Sequence, residues 1–155
     1  MRKIIVGGIA VATAAALAFA PWASAGGNGA QHSGLSPQAG GSGADSGDQC
    51  KIGSGDATNG FVMLNAPGKP GDANKLLGEV SLKNDTAPAG TTYSVNVAMN
   101  DGNDACVMEG TLTTNGQGNG NSHIADTSGL TNGSYYVVLQ LNGQEKYASG
   151  QLSVN

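Results

Sequence analysis

From Cys50 to the C-terminus, apolar and polar residues alternate in short runs punctuated by Gly, Asn, Pro and Asp. A period of two is the signature of a strand with one buried face, and no run here sustains a helical period. In TTYSVNVAMN, Tyr93, Val95, Val97 and Met99 share one face, and Thr92, Ser94, Asn96 and Asn100 take the other. In LLGEVSLKN, Leu76, Gly78, Val80 and Leu82 face inward. In ACVMEGTLTT the inward set is Cys106, Met108, Gly110 and Leu112, which aims the Cys106 sulfur at the core. Phe61 to Leu64 is a short apolar strand, and Ser122 to Asp126 a weaker one. The expected strands are 60–65, 76–84, 91–100, 105–114, 120–126, 134–142 and 145–154.

The last two form a hairpin. Asn142-Gly143 suits a two-residue type I′ turn, whose central positions both need positive φ. That turn pairs Leu141 with Gln144, Val138 with Tyr147 and Tyr136 with Ser149. The inner face is then Tyr135, Val137, Leu139 and Leu141. Tyr136, Val138 and Tyr147 fall together on the outer face, beside Gln140 and Ser149. A cross-strand aromatic pair among neutral polar neighbours can stack on a sugar or anchor a protein. This trio is the candidate binding surface, with an unknown protein or a cell-wall glycan as its partner.

The entry to the hairpin, LTNGSY, carries Leu130, Gly133 and Tyr135 in the spacing of a tyrosine corner. The segment TLTTNGQGNGNSHIADTSGLTNGSYYVVLQLNGQEKYASG, residues 111–150, resembles the second half of secreted bacterial immunoglobulin-like or prealbumin-like modules. The resemblance implies an all-β, immunoglobulin-like Greek-key sandwich of about seven strands. It also implies a non-enzymatic role in adhesion, binding or spacing, and it carries over no active-site residue.

The N-terminal end places the chain outside the cell. Arg2 and Lys3 precede an apolar run from Ile4 to Ala20, and Ala23-Ser24-Ala25 forms an A-x-A cleavage site. The expectation is a signal peptide at 1–25, cut after Ala25, and a secreted product with no membrane association. Residues 26–49 are Gly/Ser-rich with Leu35 as the one large apolar side chain, which reads as a flexible linker ahead of a β-sandwich domain at 50–155. After cleavage, five lysines and no arginine stand against 11 acidic residues, a net charge of −6. Such a surface lacks the forked donors and positive field that nucleic acid requires. Two cysteines in an exported chain point to a Cys50–Cys106 disulfide.

The remaining motifs lose their chemistry on inspection. TTNGQGNGNSH, Thr113 to His123, fits no phosphate-binding fingerprint, because Asn121 stands where a third glycine is needed and no helix follows. It reads as a turn. Ser122 and His123 are adjacent on a strand and so diverge, which denies them a nucleophile–base bond. NDGND, Asn100 to Asp104, collects oxygen ligands, with Asp101 and Asp104 as the calcium candidates. The EF-hand order fails at Ala105, so a strand-connecting turn is expected. No cofactor is implied. The expected function is non-catalytic binding or cell-envelope association. The alternatives are a protease inhibitor presenting the loop Ala66 to Lys75, and a minimal secreted hydrolase.

Overall fold

The computed structural model describes residues 29–38, 50–65, 76–125 and 133–154. The signal peptide, its cleavage site, the Ala66–Lys75 loop and Leu130 of the corner motif lie outside the described residues. What is described is all-β. The strands are β1 (Gln31–Pro37), β2 (Gly60–Asn65), β3 (Leu77–Leu82), β4 (Thr92–Met99), β5 (Cys106–Thr113), β6 (Gly120–Ala125), β7 (Gly133–Leu141), β8 (Gln144–Ser149) and β9 (Leu152–Val154). Among these residues there is no helix long and apolar enough to cross a membrane.

Every pairing is antiparallel, and the strands run in the order β5-β4-β7-β8-β1-β2-β3-β6, with β9 added to β7. The ends of this path, β5 and β6, pack against each other, so the sheet nearly closes on itself. Ser122 Oγ donates to the Thr111 carbonyl at 2.8 Å across that seam. Two ladders are distinct within the path: β1-β2-β3-β6, and β5-β4-β7-β8 with the end of β1. Their facing sides enclose one core that includes Val62, Val80, Tyr93, Val95, Leu112 and Leu139. The alternation in β3 and β4 selects Val80, Tyr93 and Val95 as anticipated, and in β2 it is Val62 and Leu64 that turn inward.

The Gly/Ser-rich segment read as a linker contains β1. Its first half pairs with β2, from Gln31 opposite Leu64 to Gly34 opposite Phe61. Its second half pairs with β8, from Leu35 opposite Ser149 to Pro37 opposite Tyr147. One strand therefore belongs to both ladders, and Leu35 at the changeover is fully buried. The described sheet thus includes residues 31–37, which lie ahead of Cys50 within the segment expected to be linker. Composition misleads here because the backbone, not the side chains, makes most of the bonds. β2 and β8 each offer a strand edge, and unsatisfied buried backbone groups are costly. The expected final strand also divides, into β8 and β9 at Gly150. Nine strands are thus described where seven were expected.

Two one-residue bulges decide which side chains face the core. Between β4 and β5, Val95 pairs with Gly110 but Asn96 with Met108, so Glu109 is the extra residue. Between β7 and β8, Leu139 pairs with Tyr147 but Gln140 with Glu145, so Lys146 is extra. A single inserted residue moves everything beyond it to the other face. Cys106 and Met108 therefore leave the core face that strict alternation assigned them, and Met108 is 60% exposed. Asn142 and Gly143 have φ of 53° and 76°, as the type I′ turn requires.

The bridging role of β1 gives a direct test. Leu35→Ala should lower unfolding free energy by about 2–5 kcal/mol, the usual cost of emptying a fully buried leucine site. Urea denaturation measures it. A midpoint unchanged from the parent would mean that residues 31–37 do not belong to the folded unit.

Candidate functional site

The proposed outer-face trio is not a surface. Tyr136 is 1% exposed, Val138 0% and Tyr147 7%. The bulge at Lys146 places Tyr147 on the inner face, opposite Leu139, in the main core. Tyr136 and Val138 do point outward from the β4-β7-β8 ladder, but a strap formed by residues 50–57 covers them. They form a second apolar cluster with Cys50, Ala98 and Ala148, against which Cys106 packs. The four tyrosines are all buried, so none of them offers a sugar platform.

The strap is fastened along its length. The Cys50–Cys106 disulfide is formed, with Cα atoms 5.4 Å apart. Cys50 N donates to the Asp104 carbonyl at 2.8 Å, and Tyr136 Oη donates to the Cys50 carbonyl at 2.6 Å. Lys51 N donates to Glu145 Oε1 at 2.7 Å, Gly53 N to the Ser149 carbonyl at 2.8 Å, and Gly34 N to the Gly55 carbonyl at 3.0 Å. Contact is close enough that a Cβ on Gly53 would lie 2.4 Å from the Ala148 carbonyl oxygen. Burial raises the Tyr136 phenol well above its ordinary pKa, and the nearby Asp104 carboxylate adds to the effect.

A second polar node lies at the end of the core, around the half-buried Asp85. The Asp85 carboxylate accepts from two phenols: Tyr93 Oη donates to Oδ2 at 2.6 Å and Tyr147 Oη to Oδ1 at 2.7 Å. The two rings meet edge to face, 6.0 Å between centroids. Asp85 also accepts from Ala87 N at 3.1 Å, and its own N–H donates to the Gly118 carbonyl at 2.9 Å. The carboxylate thereby ties β4 and β8 to the β3–β4 connection, and the Asp85 main chain joins that connection to the glycine-rich turn. That turn is internally capped, since Asn115 Oδ1 accepts from Gln117 N at 2.8 Å and Asn119 N at 3.1 Å. Gly118 is required in it: φ is +71°, and a Cβ would collide with the Asp85 carbonyl oxygen. Sequence reasoning missed Asp85, since only the local Asx turn before Pro88 could be read from NDTAP.

The other candidates keep to structural roles. Asp101 Oδ1 accepts from Asn103 N at 2.9 Å and Asp104 N at 3.3 Å, which makes NDGND a turn closed by its own carboxylate. Asp104 has φ +47° and one buried carboxylate oxygen without a partner among the described residues. No three His, Cys, Asp or Glu side chains of the described residues gather as a metal cage. Ser122 and His123 diverge as anticipated: Ser122 bonds toward β5, while His123 stands exposed on β6. Searches of protein-family models, curated proteins and solved structures find no match to this chain.

Two predictions follow from these nodes. Asp85→Asn should cost about 2–4 kcal/mol, because charged acceptors of buried hydroxyls contribute about 1.5–3 kcal/mol each and the amide retains part of the bonding. Thermal or urea unfolding checks it, and a loss below 0.5 kcal/mol (roughly the scatter of surface substitutions) would deny the node its role. Desolvation raises the Tyr93, Tyr136 and Tyr147 phenols above the ordinary phenol value of 10.0, with Asp85 adding to the first and third. Unfolded tyrosines release protons near pH 10 while these folded ones retain them. Stability is accordingly intact below pH 10 and falls as pH rises beyond it. Absorbance at the phenolate band should show three tyrosines ionising only with unfolding, and free titration near pH 10 in the folded protein would contradict this.

Proposed function

We propose that the protein is an exported, non-catalytic β-sandwich module acting in binding or as a component of the cell envelope. The observation that carries this reading is the fastening of the strap. A disulfide and a series of main-chain bonds seal a sheet that would otherwise expose an apolar face. Disulfides persist in oxidising compartments, and closing a loop with a sequence separation of 56 constrains the unfolded chain by about 4 kcal/mol in the entropy model. That investment suits a small domain that must persist outside the cell. The signal peptide read at 1–25 agrees with it.

The immunoglobulin-like reading belongs to the same proposal. It is supported by the order β2-β3-β6 on one side and β5-β4-β7-β8 on the other, with the chain passing between sides from β3 to β4, β5 to β6 and β6 to β7. It is also supported by Tyr135, buried at the start of β7, whose ring edge and hydroxyl fold back over Gly133. β1 would then be an added strand joining the two sides.

Expression with the native leader in a secreting bacterial host tests export and the disulfide together. The expected product is a released or wall-associated chain beginning at Gly26, two hydrogens lighter than its reduced form by intact mass. Retention of the leader or free thiols would reject the reading. Co-sedimentation with purified cell-wall material tests association, and covalent labelling by hydrolase-directed active-site probes would overturn the non-catalytic assignment.

A further inference from the structure

The outer face of the β1-β2-β3-β6 ladder brings together residues that lie far apart in sequence. His32 is paired with Met63, Met63 with Glu79, and Glu79 with His123. Four neighbouring strands thus present an unbroken row, His-Met-Glu-His, which holds both histidines of the chain. The burial pattern fixes the side on which the row stands. Val62 and Leu64 flank Met63, Val80 follows Glu79 and Ile124 follows His123, and all four are buried in the core. His32 and His123 are exposed, and Met63 and Glu79 half-buried. Residues 55–57 reach this face at Gly34, two positions along β1 from His32, where a Cβ would meet Ala57 N; the row itself keeps two exposed and two half-buried side chains among the described residues.

Directly opposed residues on antiparallel strands have Cβ atoms about 4.5–5.5 Å apart, within joint reach of one ion for long side chains. The combination of donors is selective. A thioether is a soft ligand and favours Cu(I), imidazole accepts copper in either oxidation state, and a carboxylate suits the harder Cu(II). We propose that the row is a copper site, with one ion above Glu79 held by His123 on one side and Met63 on the other. Met63 completes a set that His, Asp and Glu alone do not make, in keeping with the absence of a cage built from those types among the described residues. His32 stands three strand spacings from His123, about 14 Å at the usual 4.8 Å per strand, too far for both to bind one ion at about 2 Å. It is placed beside Met63, where it can receive or release the ion but does not complete the primary set. The pairing is independent of the export and envelope reading above, since it depends only on strand register.

The experiment is a Cu(I) titration of the tag-free full chain under anaerobic conditions, against a chromophoric chelator, with zinc as a competitor. The expected result is one Cu(I) per chain, retained in excess zinc. Met63→Leu and His123→Ala should each weaken it at least about tenfold, and His32→Ala should change it less than about threefold. All three positions lie on the outer face, so the variants should keep the parent's far-UV dichroism and unfolding midpoint. In the parent, copper should shift the Met63 methyl and His123 ring signals in NMR spectra while leaving those of the core unmoved. Absence of binding would overturn the proposal. So would affinity unchanged by Met63→Leu, zinc displacing the copper, or dependence on His32 instead of His123. A wall-association result of either sign leaves this test unaffected.

Discussion

The constraint on which the structure turns is that the β4-β7-β8 ladder is apolar on both faces. β7 carries Tyr135, Val137 and Leu139 toward the main core and Tyr136 and Val138 the other way, and all five are buried. A sheet of this kind cannot leave one side in water without exposing a patch of the sort that drives association. The chain answers with residues 50–57 laid across the second face. The strap is too short and too polar to stay there by burial alone. Cys50 and Ala98, Tyr136, Val138 and Ala148 make only a small cluster. The disulfide and the main-chain bonds to Asp104, Ser149 and the Gly34 amide therefore carry the docking. The same requirement explains why the outward tyrosine on β7 ends with its hydroxyl on the Cys50 carbonyl instead of in solvent.

Bulges are what reconcile this strap with the core. Without the extra Glu109, Cys106 would point between the ladders, and a bridge to a strap on the outside could not form. Without the extra Lys146, Tyr147 would join Tyr136 outside, and the Asp85 carboxylate would lose one of its two phenols. Each bulge sends a polar residue to the side and re-aims a functional one. The Asp85 node then does at the end of the core what the strap does on its flank. It closes a region where side chains from β4 and β8 and two connections converge, and it satisfies two hydroxyls that burial would otherwise leave unpaired.

Much of this was legible in the sequence where the information is local. The alternation of Val80 with Leu82, and of Tyr93 with Val95 and Val97, follows from period-two patterning, and Asn142-Gly143 states its own turn type. The disulfide follows from an even cysteine count in a chain expected to be exported. What was illegible depends on pairing between distant segments. Nothing in QHSGLSP except Leu35 favours a strand, and its place is set by the free edges of β2 and β8. The bulges at Glu109 and Lys146 have no strong composition signal, yet each overturned a facing assignment made by strict alternation. The tyrosine trio failed for that reason: the period was right, and the count was off by one residue on β8.

The failure of that trio also relocates where recognition can occur. With the four tyrosines drawn into two buried clusters, the face of the β4-β7-β8 ladder is closed by its own strap. On the opposite ladder, β1-β2-β3-β6, residues 55–57 reach the outer side at Gly34, and the row from His32 to His123 stays exposed or half-buried. The strand that extends the row beyond Met63 is β1, the one element that composition concealed, and without it His32 would have no fixed neighbour. The bridging strand thus does two things at once. It joins the ladders through Leu35, and it sets the edge of the face on which the histidines, Met63 and Glu79 stand in register.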